Sequence, residues 1–394
     1  MAGSVIIGAG ECGVRAAFTL RELGYDGSVT LIGAEQALPY ERPPLSKDLT
    51  GAAREIRAKE AYAAADIDLK LGAQVVGIDV EGKKVGFEDG TSLAYDRLLI
   101  ATGARPRLFP GMEGCATLRT DSDARRILSQ FTAGARIGIV GGGFIGLELA
   151  ATARRAGAEV SVIEAAPRIL GRAVPPEIAA VVHARHEREG VRIRTGTGVL
   201  RACAMTITLT DGTALAFDIV IAGVGAVPNV ELAQAAGLHC DNGVVVDPAF
   251  RTSAPDIYAA GDCCNFDWRG NRVRLESWKA AQDQGAHAAA AMLGAGDDFA
   301  KAPWFWSDQF DLTLQVAGLF DLSAPIHRRD TSDDTHIVFQ CDLSGGVSAA
   351  AGVGPGNAIA KDIKIFEKLI ERATPVDPGS LADASTPLKR LLKA

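Results

Sequence analysis

Short runs of consecutive apolar residues alternate along this chain with Ala-, Leu- and Arg-rich stretches of helical character. Apolar runs without polar alternation are typical of strands buried on both faces of a parallel sheet, so the pattern predicts βαβ units. Residues 4–31 and 136–163 share one order: a strand, a glycine-rich turn, a helix ending at a glycine, a second strand and then an acidic residue. This internal repeat predicts two copies of a mononucleotide-binding half-fold.

Shorter alternating segments follow each repeat, and Asp-Gly turns among them are typical of antiparallel meanders. From about residue 304 the pattern changes to strands and then an amphipathic helix, which marks a further domain. The predicted strands are 75–78, 84–87 and 92–93 after the first repeat, 191–194, 206–209 and 214–217 after the second, and 313–317, 336–340 and 347–353 before a helix at 359–370.

The first repeat contains the G-x-G-x-x-G pattern at Gly8, Gly10 and Gly13, directly after its strand. The first glycine makes the turn, the second lets backbone approach a pyrophosphate, and the third permits close helix–strand packing. The phosphates then lie at the N-terminus of the helix. Glu35, 22 residues beyond Gly13, has the spacing of an acid that binds a ribose hydroxyl. We therefore predict a dinucleotide site here.

Gly141, Gly143 and Gly146 repeat the pattern, and Glu164 ends the following strand. A carboxylate at this position binds a free 2′-hydroxyl and repels a 2′-phosphate, which favours NADH over NADPH. Arg168 lies nearby and could reverse that preference. Two sites in one chain imply two dinucleotides, and hydride transfer between them makes one of them a flavin.

Composition and charge exclude several classes of protein. Hydrophobic residues make up 47% and charged residues 23% of the 394 residues, as in ordinary globular proteins. The net charge of −7 disfavours a general nucleic-acid binder, which is normally basic. No apolar run reaches the roughly 18 residues of a membrane helix, and no signal peptide is recognisable. Seven scattered cysteines suggest a reduced, cytoplasmic protein.

Several motifs together resemble the FAD- and NADH-dependent ferredoxin reductases that serve bacterial oxygenases, relatives of putidaredoxin, rubredoxin and biphenyl-dioxygenase reductases. The resemblance covers about residues 4–360, and the last 30 residues are its weakest part. The motifs are LPYERPPLSK at 38–47, LLIATGARPR at 98–107, GGGFIGLE at 141–148, DIYAAGDCCNF at 256–266, ESW at 276–278 and FWSDQF at 305–310.

The resemblance implies an α/β fold like that of glutathione reductase, with two Rossmann-like dinucleotide-binding domains and a C-terminal α/β domain. It predicts an FAD domain at 1–107 and 229–305, an NADH domain at 108–228 and a C-terminal domain at 306–394. It places Ala101, Thr102 and Gly103 beside the FAD and Asp262 on its ribityl and phosphate groups. An N-cap aspartate before a helix is a compatible reading of Asp262.

The resemblance also implies that Arg42 and Lys47 contact the FAD, with Lys47 near flavin N5, and that Glu148 lies near the nicotinamide and can pair with Lys47. Trp278 matches a residue that covers the isoalloxazine. An exposed lysine, a solvated helix glutamate and a core tryptophan are the structural alternatives. Ile145 joins the glycines of the second repeat as a nucleotide-binding candidate. The Trp-Ser-Asp-Gln run at 306–309 matches residues that cover the flavin, and Ala-Val-Pro-Asn at 226–229 resembles a loop closing the nicotinamide end of the second site.

The positions of the cysteines decide the expected reaction. Disulfide reductases of this fold carry C-x₄-C after the first helix, and oxidases or peroxidases carry one cysteine there. This chain has no cysteine between Cys12 and Cys115, so thiol relay chemistry is not expected. The adjacent Cys263 and Cys264 leave a strained vicinal disulfide open. Without a thiol acceptor, electrons must leave the flavin singly for an external carrier.

The sequence thus predicts an NADH-dependent reductase of a [2Fe–2S] ferredoxin, or of a rubredoxin, that feeds a cytochrome P450 or a Rieske dioxygenase. The alternatives are an NADH oxidase or peroxidase and a redox-sensing flavoprotein resembling apoptosis-inducing factor. His183 and His186 lack further ligands nearby in sequence, so no metal site is expected. Ferredoxins are typically acidic, so docking is expected at basic residues, with Arg54, Arg57, Lys59, Lys301, Arg328 and Arg329 as candidates.

Overall fold

The computed structural model describes residues 3–50, 52–373 and 375–392, which form two compact units. The mixture of helices with parallel and antiparallel sheets confirms the predicted α/β class. The division into three domains stays a prediction, and its outermost residues, 1–2 and 393–394, lie outside the described residues. The first unit contains Met1–Arg42, Ala53–Arg105 and Ala226–Lys301, and the second contains Pro43–Ala52, Pro106–Gly225 and Ala302–Ala394.

The main sheet of the first unit is built on the first repeat. Every residue of its strands Gly3–Ile7 and Val29–Gly33 is buried, which accounts for their unbroken apolar runs. The predicted meander after the repeat is confirmed, because its strands continue this sheet in antiparallel pairing. The strand order is Ile67–Leu71, Val29–Gly33, Gly3–Ile7, Ser92–Ile100, Lys84–Phe87, Val75–Asp79, with Ile257–Ala259 also parallel to Ser92–Ile100.

Smaller elements complete the first unit. Short strands pair as Tyr40–Glu41 with Arg54–Glu55, Ala104–Pro106 with Ala226–Pro228, and Val244–Val245 with Cys264–Trp268 and Asn271–Val273. Its helices are Glu11–Glu22, Lys59–Ala64, Glu231–Ala235 and Trp278–Met292.

Two of these helices, Glu11–Glu22 and Trp278–Met292, pack closely against each other. Gly285 makes this approach possible, since a Cβ there would lie 2.4 Å from the carbonyl oxygen of Cys12. The tight packing fixes the first glycine loop at the carboxyl end of Gly3–Ile7.

The second repeat forms the centre of the second unit, whose four-stranded sheet is parallel throughout. Its strand order is Arg192–Arg194, Glu159–Ile163, Arg136–Val140, Ile219–Ala222. A separate antiparallel sheet contains Val199–Ala202, Thr206–Leu209 and Ala214–Ala216. The helices of this unit are Pro43–Ser46 (one 3₁₀ turn), Asp121–Leu128, Phe144–Arg155, Pro176–Arg188, Ala360–Arg372, Pro378–Ala382 and Leu388–Leu391.

One strand of the second predicted meander was assigned wrongly. Arg192–Arg194 pairs in parallel with Glu159–Ile163 at the edge of the nucleotide sheet, and Val199–Ala202 takes its place in the meander. The strand Val199–Ala202 was hard to recognise from its sequence, since the apolar Leu200 at its centre is 65% exposed and does not mark a buried face. Local sequence therefore pointed to the wrong partner.

The C-terminal segment folds as a five-stranded antiparallel sheet covered by the helix Ala360–Arg372. The three predicted strands and the helix are confirmed with ends shifted by a residue or two, but Trp304–Gln309 and His327–Ser332 were missed. These two are the edge strands, where one side has no neighbour and apolar alternation is weaker. The order is Trp304–Gln309, Leu312–Gly318, Val347–Pro355, Thr335–Cys341, His327–Ser332.

This sheet shares a hydrophobic core with the second repeat. Ile178 and Val182 of the helix Pro176–Arg188 pack with Leu314, Val338 and Val353 of the sheet. The shared core places the strand Trp304–Gln309 beside the helix Phe144–Arg155, which begins at the second glycine loop.

Strand alternation corrects one member of the predicted basic surface. Arg328 is exposed, whereas Arg329 is only 4% exposed and cannot form part of a docking surface. The guanidinium of Arg329 donates to the carbonyl oxygens of Leu381 and Asp383 through Nη1 and of Thr386 through Nη2, at 2.9, 2.6 and 2.9 Å. It holds the C-terminal segment instead.

Candidate dinucleotide sites and a buried carboxylate

The first glycine loop has the geometry that its pattern predicts. Gly8 has a φ of +112°, and a Cβ there would lie 2.1 Å from the carbonyl oxygen of Ala101. A Cβ at Gly13 would lie 1.9 Å from the carbonyl oxygen of Gly8, so both positions require glycine for packing. At Gly10 an added Cβ meets no described atom within 4 Å. The open space at Gly10 is the room that a pyrophosphate needs.

Gly10 is also the N-cap of the helix Glu11–Glu22, and no side-chain hydrogen bond caps that helix. Its first N–H groups are therefore available to an anion. Glu11, in the first turn, was not singled out from the sequence. Burial raises the pKa of its carboxyl, against hydrogen bonds from Gln282 and Trp278 that lower it. Glu11 is thus a half-buried carboxyl beside the phosphate position, held by Gln282.

Glu35 and Arg42, predicted separately, form one group in the first unit. Arg42 Nη2 lies 2.8 Å from Glu35 Oε1, and the hydroxyl of Tyr40 donates to Glu35 Oε2 at 2.6 Å. The guanidinium also stacks on the Tyr40 ring, 5.1 Å from its centroid. Glu35 keeps further lone pairs for a ribose hydroxyl, in an orientation fixed by both partners.

The Ala101–Thr102–Gly103 segment, predicted beside the FAD, follows the strand Ser92–Ile100. It is ordered by Asn229, which the resemblance had assigned to the nicotinamide end of the second site. Thr102 Oγ1 donates to the carbonyl oxygen of Asn229 at 2.7 Å, and Asn229 Nδ2 donates to the carbonyl oxygen of Thr102 at 2.9 Å. Gly103 takes a φ of +69° at this turn. The structure thus joins Asn229 to the first glycine site.

Asp262 follows the strand Ile257–Ala259, at the same edge of the sheet as the first glycine loop, where the parallel strands have their carboxyl ends. The N-cap reading of this residue is wrong, because the chain continues into the strand Cys264–Trp268 and not into a helix. The amide of Gly261 donates to the buried Gln284 Oε1 at 2.7 Å. Trp278 is half-buried as the first residue of its helix, behind the N-cap Ser277, so it is neither a core residue nor fully exposed.

The second glycine loop repeats this geometry in the second unit. Gly141 has a φ of +104°, and a Cβ on Gly146 would lie 2.2 Å from the carbonyl oxygen of Gly141. Around Gly143 the nearest described atom to an added Cβ, the carbonyl oxygen of Gly223, lies at 3.9 Å. Gly143 is the N-cap of Phe144–Arg155, again without a side-chain cap. The second loop therefore offers the same anion cradle as the first.

Glu164 is held by the loop that it follows. Its Oε2 accepts from the amide of Gly142 and its Oε1 from the amide of Ala166, both at 2.7 Å. Arg168 donates to the carbonyl oxygens of Gly171 and Val174 at 3.1 and 2.9 Å. The arginine that could have favoured a 2′-phosphate is thus engaged with backbone, which supports the predicted preference for NADH.

Two residues of the helix Phe144–Arg155 differ sharply in exposure. Ile145, in the first turn, is 45% exposed, so its apolar side chain is free to contact a nucleotide. Glu148, in the same helix, is only 5% exposed. The alternative of a solvated helix glutamate is therefore wrong.

Glu148 forms an ion pair with Lys47, as the resemblance implied. Lys47 Nζ lies 3.6 Å from Glu148 Oε1 and 3.2 Å from Asp308 Oδ2. The same ammonium lies 5.0 Å from the centroid of the Trp306 ring. The Lys47 side chain is 20% exposed, so the alternative of a freely exposed lysine is wrong as well.

Two hydroxyls complete the surroundings of Glu148. Ser307 Oγ donates to Oε1 at 2.6 Å, and Ser46 Oγ donates to Oε2 in a short hydrogen bond. Burial raises the pKa of the Glu148 carboxyl, while Lys47 and the two serine hydroxyls lower it and Asp308 raises it further. A carboxylate in this setting depends on every one of its donors.

The strand Trp304–Gln309 supplies both sides of this site through its alternation. Trp306 and Asp308 face Lys47, whereas Ser307 and Gln309 are buried toward Glu148. From the sequence, this run was predicted to lie at the flavin only through the resemblance. The polar residues Ser307 and Gln309 beside aromatic residues were the only hint of a buried polar site in the sequence. Their orientation toward the carboxylate follows from the strand, in which alternate side chains point to the same face.

The three cysteines of the first glycine site are buried thiols. Burial raises the pKa of Cys12, Cys263 and Cys264, so the reactive thiolate form is suppressed. Cys263 and Cys264 are both free, and the vicinal disulfide is not formed. In the structure these three thiols are buried packing residues.

Within 3–50, 52–373 and 375–392 no helix is long and apolar enough to span a membrane. The described residues also contain no group of three or more His, Cys, Asp or Glu side chains arranged to hold a metal ion. His183 pairs with Glu187 at 3.4 Å, and His186 Nε2 lies 2.8 Å from Gln309 Oε1.

Comparison with known proteins gives matches along almost the entire chain. Residues 3–285 match the family described as pyridine nucleotide-disulphide oxidoreductase, and residues 304–392 match the family described as reductase C-terminal. The anthranilate 1,2-dioxygenase system ferredoxin–NAD(+) reductase component of Burkholderia cepacia is 42% identical, with 98% of each chain covered. Putidaredoxin reductase of Pseudomonas putida is 37% identical, covering 99% of this chain and 96% of that protein.

A solved structure shows the same likeness in three dimensions. It is the crystal structure of a covalent putidaredoxin reductase–putidaredoxin complex, with a TM-score of 0.92 and 38% sequence identity. The match covers 100% of this chain and 98% of that chain.

Proposed function

We propose that this chain, which belongs to the pyridine nucleotide-disulphide oxidoreductase family, is a flavoprotein that transfers electrons from NADH through FAD to a [2Fe–2S] ferredoxin. The observation that carries this proposal is the pair of glycine loops, each with an open second glycine before an uncapped helix. The reaction balances as one NADH and two oxidised ferredoxins giving NAD⁺, two reduced ferredoxins and one proton. The cytoplasmic location stays a prediction from the sequence.

The first unit holds the FAD. The loop at Gly8, Gly10 and Gly13 takes the pyrophosphate at the helix N-terminus, and Glu35, oriented by Arg42, accepts from a ribose hydroxyl. The segment Ala101–Gly103 and the residues Asp262 and Trp278 serve the rest of the cofactor. When bound, FAD supplies the chemistry that accepts a hydride and releases its two electrons one at a time.

The second unit holds the NADH, through Gly141, Gly143, Gly146, Ile145 and Glu164. The Lys47–Glu148 pair supplies a cation and a carboxylate for the hydride transfer. Ser46 and Ser307 fix the carboxylate, which in turn fixes the ammonium of Lys47. The buried thiols Cys12, Cys263 and Cys264 leave no nucleophile for the relay that a disulfide reductase needs.

The test combines cofactor content with acceptor turnover. The purified protein is expected to be yellow with one non-covalent FAD, and to oxidise NADH in the presence of a candidate [2Fe–2S] ferredoxin from a panel that includes rubredoxins. A protein that takes up no FAD contradicts the proposal. Slow turnover with every acceptor, together with a long-lived charge-transfer band, favours the redox-sensing alternative, and rapid NADH oxidation by oxygen alone favours the oxidase.

Matched glycine variants separate the two sites. Gly10→Ala fills the open space of the first loop and is expected to abolish FAD binding, whereas Gly143→Ala keeps the FAD and loses NADH affinity. Gly86→Ala is the control, because its added Cβ also meets no described atom within 4 Å and lies in a strand. Retention of FAD by Gly10→Ala would contradict the assignment of the first loop.

A further inference from the structure

A line of hydrogen-bonded side chains continues from Glu148 into the interior of the second unit. Ser307 Oγ lies 2.6 Å from Glu148 Oε1, and Gln309 Nε2 lies 3.0 Å from Ser307 Oγ. Gln309 Oε1 then lies 2.8 Å from His186 Nε2. All four side chains are buried, at 5% exposure or less. The proposed hydride-transfer site is thereby connected to a histidine that its chemistry does not use.

The donors of this line point in one direction. A hydroxyl that donates to a carboxylate has its lone pairs left to accept, so Ser307 accepts from the Gln309 amide N–H. The Gln309 carbonyl oxygen must then accept from His186, which requires the proton on Nε2. His186 thus polarises the amide of Gln309, the amide polarises the hydroxyl of Ser307, and the hydroxyl donates to Glu148.

The surroundings of His186 select that tautomer. Its Nδ1 is buried and has no hydrogen-bond partner among the described residues. A buried N–H without an acceptor is less tolerable than an unpaired lone pair, so the proton is placed on Nε2. Phe310 packs edge-on against the ring at a centroid distance of 4.9 Å and holds its orientation.

The geometry points to His186 and Gln309 as positioning residues that, through Ser307, keep Glu148 a carboxylate and so preserve its ion pair with Lys47. Neither residue touches the nucleotides or the flavin in this role. The catalytic meaning of the inference rests on the proposed function, but the state of the Glu148 carboxyl does not.

The charged groups on both ends of the line are few. Lys47 and Asp308 face Glu148 from the adjoining elements, the first lowering and the second raising the pKa of its carboxyl. Around His186, burial lowers the pKa to about 4, helped by His183 and Arg185 and opposed by Gln309 and Glu189. His186 therefore stays neutral at physiological pH and can keep its Nε2 proton as a donor.

The test measures the protonation of Glu148 in the FAD-containing protein by infrared difference spectroscopy across pH. The carboxylic acid band of Glu148 is identified by its loss in Glu148→Gln. His186→Phe and Gln309→Leu are expected to raise the pH midpoint of that band by about 0.5 pH unit. Each variant removes a donor that polarises the hydrogen bond from Ser307 to the Glu148 carboxylate. His186→Gln retains a donor and is expected to shift it less than His186→Phe.

His183→Phe is the matched control, one turn away on the same helix, and is expected to leave the midpoint unchanged. In anaerobic stopped-flow mixing with NADH, the acidic limb of the pH profile for loss of flavin absorbance is expected to move with the infrared midpoint.

The outcomes distinguish the two levels of the argument. If Glu148 has the same midpoint in His186→Phe and Gln309→Leu as in the wild type, or stays ionised in all of them, the inference is overturned. Equal shifts in His186→Gln and His186→Phe also overturn it, because the donated hydrogen bond would then have no effect. If NADH does not reduce the wild-type FAD, the proposed function fails while the infrared result stands.

Discussion

The preference between NADH and NADPH gives the sharpest test of the second site, through the change Glu164→Gln. Both carboxylate oxygens of Glu164 accept amide hydrogen bonds at 2.7 Å, from Gly142 and Ala166. The carboxylate therefore cannot rotate away from a 2′-phosphate. Glutamine is the appropriate replacement, because it removes the charge and keeps one acceptor for the loop.

The magnitude follows from two effects. A hydrogen bond from a ribose hydroxyl to a charged acceptor is worth about 1.5–3 kcal/mol, and the neutral amide retains part of it. The repulsion between unit charges 4 Å apart is about 1 kcal/mol in water and about 4 kcal/mol near a protein surface. Glu164 is half-buried, so a value of about 2 kcal/mol is reasonable. Together these effects, about 2–3.5 kcal/mol, reduce the ratio of kcat/KM for NADH to that for NADPH by about 30- to 300-fold.

The assay is steady-state oxidation of each nucleotide with ferricyanide, which requires no protein partner. Glu159→Gln is the control: it lies at the other end of the same strand, its side chain is 53% exposed, and it pairs with Arg192 at 3.3 Å. FAD content is expected to be unchanged in both variants. Equal use of both nucleotides by the wild type, or an unchanged ratio in Glu164→Gln, would refute the reasoning.

Three further predictions concern stability, thiols and docking. Arg329→Met removes the donor of three carbonyl groups from a buried guanidinium site and is expected to lower the free energy of unfolding by about 3 kcal/mol, read as a lower Tm. Arg328→Met on the exposed face is expected to change it little, and equal effects would contradict the buried role. Cys264→Ala is expected to reduce electron acceptors at a rate within about threefold of the wild type once FAD content is matched, because burial suppresses the thiolate of Cys264. A loss above about tenfold would indicate that a thiol takes part in the reaction. The kcat/KM for the ferredoxin is expected to fall with added salt and in Arg54→Glu, but not in the exposed control variant Arg126→Glu. Reduction of ferricyanide is expected to change little. If ferredoxin reduction is insensitive to both salt and Arg54→Glu, the docking surface lies elsewhere.

The fold class and both nucleotide sites were predictable because short, contiguous sequence patterns specify them. The repeat, the two glycine loops and the acids Glu35 and Glu164 each combine a strand, a turn and a helix within one short stretch. In such a unit the backbone geometry is set by neighbours in sequence, so glycine spacing alone indicates which Cβ positions must be empty. The likeness of the motifs to ferredoxin reductases is supported by the relatives at 42% and 37% identity.

The errors lie where a partner distant in sequence decides the structure. Arg192–Arg194 was placed in the meander because its apolar pattern fits either sheet, and only pairing with Glu159–Ile163 determines which one it joins. The N-cap reading that accompanied the cofactor assignment of Asp262 was wrong because the strand Cys264–Trp268, and not a helix, follows it. Arg329 read as a surface residue because Trp304–Gln309 and His327–Ser332, the edge strands, were not recognised, so its inward direction was unknown.

The sequence by itself determined the fold class, the two nucleotide sites and the absence of a thiol in the usual flavin-facing position. The tertiary structure alone decided the hydrogen-bonding surroundings of the Glu148 carboxyl. Its donors, Lys47, Ser46 and Ser307, come from segments about 100 and 160 residues away, and His186 joins them through Gln309. Burial raises the pKa of an isolated carboxyl, and only hydrogen bonds and an ion pair from such distant segments can offset that effect. The pair with Lys47 was expected from the resemblance. Spacing within a motif carries no information about the serine, glutamine and histidine partners, because they meet Glu148 only when the sheet and the helices have packed.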